Sequence, residues 1–269
     1  MKIRTFIAFA TVCLFSFNSC KNGSSEIGED GQNLIVDKPI QSGKVLRLAE
    51  LTQPMSLFPH KLTHSVEGLI SGQIFEGLVK VNPKTLKVEP GLAEKWEVSE
   101  DGKKITFFLR KGVKFHPDKS GNTTELSAED VKYTFNLLCT HSENNLHFAT
   151  ICKDRIVGAN EAYEASKKGE SIDLQGVKII DPYTISIELL NSPAIFMDIL
   201  GSPSAAILSK SAHAKEGIET LAGAGAFRLD PVSSDEKRYV LVKNETYYGV
   251  DKSGNKLPIL DTISVTIAP

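Results

Sequence analysis

Tryptophan occurs once in the 269 residues, at Trp96, and cysteine four times, at Cys13, Cys20, Cys139 and Cys152. So few cysteines exclude a small disulfide-built scaffold, in which bridges substitute for a core. No apolar run approaches the roughly 20 residues a helix needs to cross a bilayer. Lysine and arginine are dispersed and number 31 against 33 acidic residues, for a formal charge of −2. A nucleic-acid partner requires a clustered basic face, so none is expected. No cofactor and no metal are expected either.

What is present begins with a leader. Lys2 and Arg4 precede an apolar stretch from Phe6 to Phe17, and Asn18-Ser19 leads into Cys20. This is the layout of a lipoprotein signal peptide over residues 1–19, with Cys20 as the acylated first residue of the mature protein. Asn18 stands where a small residue is usual, so ordinary signal cleavage is the alternative. Residues 20–42 are expected to be a flexible tether, because KNGSSEIGEDG from Lys21 to Gly31 offers almost nothing apolar to offset the entropy of ordering it. The expected location is the periplasm or cell surface, with the membrane as a partner through the lipid on Cys20. Loss of Lys2 and Arg4 leaves 29 basic against 33 acidic side chains.

With Cys13 removed and Cys20 acylated, Cys139 and Cys152 remain as a potential pair in an oxidising compartment. A bond closing that 14-residue loop would contribute about 3 kcal/mol. Two separate thiols, one buried at a helix end, are the alternative.

About 240 residues from Gly31 onward suffice for a large domain or two ordinary ones. Lys44 to Ala49 alternates as a strand, Thr52 to Pro59 is a proline-bracketed loop, and Val66 to Leu78 has helical spacing. Trp96 and Val98, then Ile105, Phe107 and Leu109, predict a hairpin with Asp101-Gly102 as a two-residue turn. Ser127 and Asp130 predict a capped helix start before Val131, Tyr133, Phe135 and Leu138. A mostly exposed helix is expected over Ala159 to Lys168, and a second hairpin over Val177 to Ile180 and Thr184 to Leu189. Helices are expected from Pro193 to Leu200 and from Ala212 to Leu221. Gly223 to Leu229 enters a third hairpin returning through Tyr239 to Val242. The alternation of Ile263, Val265 and Ile267 predicts a final strand, read as an uncovered edge. On that reading the chain is a fragment.

Several blocks carry a family resemblance. IFEGLV at Ile74 to Val79, PGLAEKWEVSEDGKKITFFLRKGVKF at Pro90 to Phe115, LSAEDVKYTF at Leu126 to Phe135, DPYTISIEL at Asp181 to Leu189, GAGAFRL at Gly223 to Leu229 and NETYYG at Asn244 to Gly249 resemble family 5 extracellular solute-binding proteins. The resemblance implies a mixed α/β, periplasmic-binding-protein-like fold, here a first lobe of two interleaved subdomains with the second lobe absent. The subdomain edges are placed at 43–81 and 193–269 for one and 82–192 for the inserted one. It also implies a peptide or other small solute as ligand, an ABC permease as partner, a monomer when complete, and no enzymatic activity. A ligand-sensing or scaffold lipoprotein uncoupled from transport is the second reading.

In the family the ligand lies between lobes and the first lobe contributes mainly loop backbone. That assigns the site to Thr52, Gln53, Pro54, Met55, Ser56 and Leu57, and to Gly223, Ala224, Gly225, Ala226 and Phe227. Gly223 and Gly225 would let backbone approach a ligand closely, although a plain tight turn explains them equally well. Three or four backbone hydrogen bonds give roughly 2–6 kcal/mol, short of the roughly 8 that micromolar binding needs. His60 and His64 have a metal-compatible spacing but read as an exposed loop pair. Cys139, His141, His147 and Cys152 lack an oxyanion-hole motif for a cysteine hydrolase. Glu129 and Asp130 serve the helix start, and Trp96 and Phe107 read as core.

Overall fold

The computed structural model describes residues 44–192 and 194–268. The leader, the tether, Cys20 and the helix-opening role of Pro193 lie outside them. In chain order the first half runs β1 (Val45–Glu50), α1 (Ser65–Ile74), β2 (Val79–Val81), β3 (Val88–Pro90), β4 (Ala93–Val98), β5 (Lys104–Leu109), α2 (Ala128–Leu138), α3 (Phe148–Ile151) and α4 (Ala159–Lys167). The second runs β6 (Val177–Asp181), β7 (Thr184–Glu188), α5 (Ala194–Leu200), α6 (Lys210–Glu216), β8 (Phe227–Leu229), β9 (Arg238–Lys243) and β10 (Thr262–Ile267).

Two four-stranded sheets organise these elements. One, ordered β4-β5-β7-β6, is antiparallel and built wholly from the middle of the chain. Its central strand shows why: Ile105, Phe107 and Leu109 are buried while Lys104 is exposed, a period of two matched to one covered face. α2 covers that face, lying on β6 and β7 with Val131, Phe135 and Leu138 inward. Its first turn is closed by Asp130, whose Oδ2 accepts from the Ser127 backbone N–H at 3.0 Å.

The other sheet, ordered β1-β10-β9-β8, joins the two ends of the described chain. β1 runs parallel to β10, Val45 opposite Thr262, and the middle sheet is inserted between these partners in sequence. α1 packs over β8, and Val66, Ile70, Ile74, Phe227, Leu241 and Val265 form a second core.

Four expectations need correction. The final strand is interior, not an edge: β10 is paired with β1 on one side and β9 on the other, and Val265 is fully buried. The two-residue turn at Asp101-Gly102 is a longer loop, closed by Ser99 N–H to the Lys104 carbonyl at 2.9 Å, with Gly102 at φ 68°. The helix expected to Leu78 stops at Ile74, where Phe75 turns extended (φ −108°, ψ 158°) and the Ile74 carbonyl accepts from Gly225 N–H at 2.8 Å in place of Leu78 N–H. The helix expected over Ala212 to Leu221 is shorter and displaced, Lys210–Glu216, followed by a single 3-10 turn at Gly217–Glu219.

Candidate functional site

The loop 52–57 follows β1 and is held from beneath by one side chain. Glu67, on the first turn of α1, is fully buried, and its Oε1 accepts from the backbone N–H of Met55 at 2.9 Å and of Ser56 at 3.3 Å. Its Oε2 accepts from the N–H groups of Thr63 and His64, the latter at 2.9 Å. Burial alone would raise the Glu67 carboxyl pKa. The four backbone donors outweigh it and lower the pKa, so the group is held as a carboxylate. The loop is fixed by its backbone while Met55 stands 82% exposed, as does Leu51 just before it at 78%. Gln53 lies beside the Tyr239 hydroxyl of β9, and Leu57 packs against the second core. With Met55 and Ser56 N–H committed to Glu67, this segment offers a partner its side chains rather than those donors.

Gly223 to Phe227 sits at the opposite end of α1, about 10 Å along the axis from Glu67. The room its glycines leave is filled by this helix. A Cβ on Gly223 would lie 2.1 Å from the Ile74 carbonyl oxygen, and one on Gly225 2.3 Å from that of Gln73. The backbone is consumed internally as well. Gly225 N–H donates to the Ile74 carbonyl at 2.8 Å, and the Gly223 carbonyl accepts from His116 N–H at 2.7 Å. The Gly225 carbonyl accepts from Asn244 Nδ2 at 3.1 Å and contacts His116 Nε2 at 3.0 Å. Ala224 and Phe227 are buried, the latter in β8. The side of each glycine that a Cβ would occupy thus faces α1. The two glycines let the α1 terminus and the β8 approach pack in contact.

A constellation that sequence reasoning passed over joins two of the quoted blocks. Glu76 of IFEGLV receives the hydroxyls of Tyr247 and Tyr248 of NETYYG on Oε1, at 3.2 and 2.6 Å. Its Oε2 is buried without a hydrogen-bond partner. Burial raises the Glu76 pKa, against the Tyr248 hydrogen bond and the Lys80 charge, and both phenols are pushed up by burial beside the carboxylate. The Arg110 guanidinium caps the Tyr248 ring at 4.6 Å. A cavity of about 220 Å³ lies here, bordered by Gln73, Glu76, Lys80, Gly225, Ala226 and Tyr247. It is smaller than the roughly 300–1,000 Å³ of small-molecule sites, so it accommodates a group rather than a whole ligand. The only signal in the sequence was the presence of both blocks.

The histidines separate. His64 is exposed but His60 is buried, at 1% exposure, so the expected exposed pair does not exist. Phe58 packs edge-on against the His60 ring at 5.3 Å. Burial, then the His213 and His147 charges, depress the His60 pKa to about 3. Among the described residues no group of three or more His, Cys, Asp or Glu could hold a metal. His141 Nδ1 meets the Tyr163 hydroxyl at 3.0 Å and His147 Nε2 donates to the Leu62 carbonyl at 2.8 Å, so neither addresses a cysteine. Cys139 and Cys152 are free thiols, both buried and side by side, and burial pushes the Cys152 thiol up, away from a nucleophilic thiolate. Trp96 is half-buried against the core that holds Phe107.

This architecture is the α/β fold of the periplasmic peptide-binding proteins. The structure of the Helicobacter pylori periplasmic binding protein DppA in complex with the peptide STSA superposes with a TM-score of 0.69 at 26% identity, covering 84% of this chain and 43% of that one. The dipeptide-binding protein of Escherichia coli is 36% identical over 206 residues, which are 73% of this chain and 35% of that protein. The oligopeptide-binding protein OppA of Bacillus subtilis is 29% identical over 245 residues, 88% of this chain and 42% of that one. Residues 87–269 match the model of the bacterial extracellular solute-binding proteins, family 5. The chain belongs to this family, and it spans less than half the length of these relatives.

Proposed function

We propose that this chain supplies one lobe of a solute-binding receptor that captures peptides and presents them to an ABC importer, without catalysis of its own. The observation that carries this reading is the loop 52–57, whose backbone is pinned by the buried Glu67 while Met55 stands 82% exposed beside it. A pre-set loop with apolar tips is suited to a ligand of variable side chains, since little ordering entropy remains to be lost on contact. The peptide named in the H. pylori complex and the peptide-binding relatives support the ligand class. Thr52, Gln53, Pro54, Met55, Ser56 and Leu57 are the proposed contacts, with Gly225 and Ala226 contributing the wall of the Glu76 cavity. Residues 43–81 and 193–269 are proposed as one subdomain and 82–192 as the other. Export, with a lipid on Cys20 holding the receptor at the membrane, completes the proposal. Uptake of a radiolabelled tetrapeptide by cells lacking the gene tests it. Uptake should fall and return on complementation, and unchanged uptake would refute the transport role.

A further inference from the structure

We propose that Cys139 and Cys152 are a redox-closable pair, oxidised to a disulfide through the cavity that reaches Cys139. Cys139 ends α2 and Cys152 ends α3, so each sulfur is carried by a helix terminus within one core. Both are free, 2% and 0% exposed, and packed into one core as near neighbours whose thiols interact. Two buried thiols in contact need no long backbone excursion to be joined.

Access is unequal. A cavity of about 580 Å³ is lined by Asn136, Cys139, Thr140, Ser166, Ser171 and Asp173. Its polar wall and its size admit one glutathionyl arm of glutathione disulfide, which is two tripeptides joined through their sulfurs. Cys152 does not line it. Cys139 is therefore the attacking thiol and Cys152 the resolving one. The Cys139 thiolate attacks one sulfur of glutathione disulfide, breaking its S–S bond and releasing a glutathione thiolate. Cys152 then gives up its proton and attacks the Cys139 sulfur of the mixed disulfide, releasing the second glutathione. The two protein sulfurs lose two electrons, glutathione disulfide gains them, and the two thiol protons end on the two glutathiones.

Closure would act on the proposed ligand loop through its support. The 140–151 segment that the bond would tie off braces the chain just beyond that loop. Leu146 N–H donates to the His60 carbonyl at 2.9 Å, His147 Nε2 donates to the Leu62 carbonyl at 2.8 Å, and Lys61 Nζ donates to Asn144 Oδ1 at 3.0 Å. The oxidising surroundings rest on the proposed export, whereas the geometry of the pair does not.

Peptide mapping of the purified full chain after incubation with glutathione disulfide tests the pair. The expected product is one linked peptide containing Cys139 and Cys152, lighter by two hydrogens. Tm should be higher by about 6–12 °C, from the loop-closure effect for this loop length. Both changes should be reversed by dithiothreitol and missing in Cys139→Ala and Cys152→Ala. Alkylation of both wild-type thiols under denaturant after the incubation would overturn the proposal, as would a lasting glutathione adduct on Cys139 with Cys152 free. The wild-type map decides even where a variant fails to fold. Acid-trapping of cells adds the second arm. A link that forms in vitro while trapped cells hold both thiols reduced would sustain the pair and count against export.

Discussion

Glu67→Gln removes one carboxylate oxygen from a side chain that holds two stretches of backbone at once. Oε1 carries Met55 and Ser56, and Oε2 carries Thr63 and His64. An amide has one acceptor oxygen, and its NH2 must face a pair of N–H donors. It should turn toward Met55 and Ser56, because the Ser56 contact, at 3.3 Å, is the longest of the four backbone bonds and the cheapest to lose. One well-formed hydrogen bond to a charged acceptor is worth roughly 1.5–3 kcal/mol, and the stranded donors add to this. A loss of about 3 kcal/mol follows, or about 6–12 °C in Tm for a domain of this size. Hydrogen exchange at Met55 and Ser56 should accelerate ahead of the core, since only the loop is released. The pH dependence gives an independent check. The folded-state pKa of Glu67 is below its unfolded value, so its contribution is complete above the unfolded pKa and disappears as pH falls through the folded one. The variant should lack that part of the acid limb. A variant with wild-type Tm, wild-type exchange at Met55 and Ser56 and the same acid limb would refute the reasoning.

Gly225→Val should lower Tm by several degrees, through a clash of the kind that costs about 1–3 kcal/mol, because the new Cβ would fall 2.3 Å from the Gln73 carbonyl oxygen; thermal denaturation checks it, and an unchanged Tm would return the segment to an open turn. His60, neutral when folded with a pKa of about 3, contributes stability that is complete above the unfolded pKa near 6.5 and declines as pH falls from there toward 3. The slope should approach 1.4 kcal/mol per pH unit, and denaturant titrations should show it flattened in His60→Phe. Metabolic labelling with a fatty-acid analogue should mark the wild type and miss Cys20→Ala, while equal labelling of both would remove the lipid anchor.

What the sequence disclosed and what it hid divide by range. The alternation of Ile105, Phe107 and Leu109 and the pairing of Ser127 with Asp130 act between neighbours, and both are realised as β5 and the start of α2. The interior position of β10 was invisible because its partner β1 lies 217 residues earlier, and a period of two does not say whether a strand has one neighbour or two. His60 reads as a loop histidine until His147 and His213, from remote segments, close around it. Gly223 and Gly225 carry the same ambiguity: glycine marks a close approach, but not whether ligand or helix makes it. Glu67 and Glu76 each look like ordinary helix-surface acids. Their partners, the loop 52–57 and the tyrosine pair at 247 and 248, become visible only after folding.

A loop whose backbone is held by Glu67 at one end of α1, and glycines that pack against the core at the other, leave this lobe few hydrogen bonds to give a peptide. Affinity should therefore stay at or below the few kcal/mol of a millimolar complex. Titrating mixed tetrapeptides into the 15N-labelled chain and following its amide shifts measures both place and strength. Shifts should be concentrated at residues 52–57, with smaller ones at Gly225 and Ala226, and with a millimolar or weaker Kd. A micromolar Kd, or shifts that spare 52–57, would contradict this reading of the lobe.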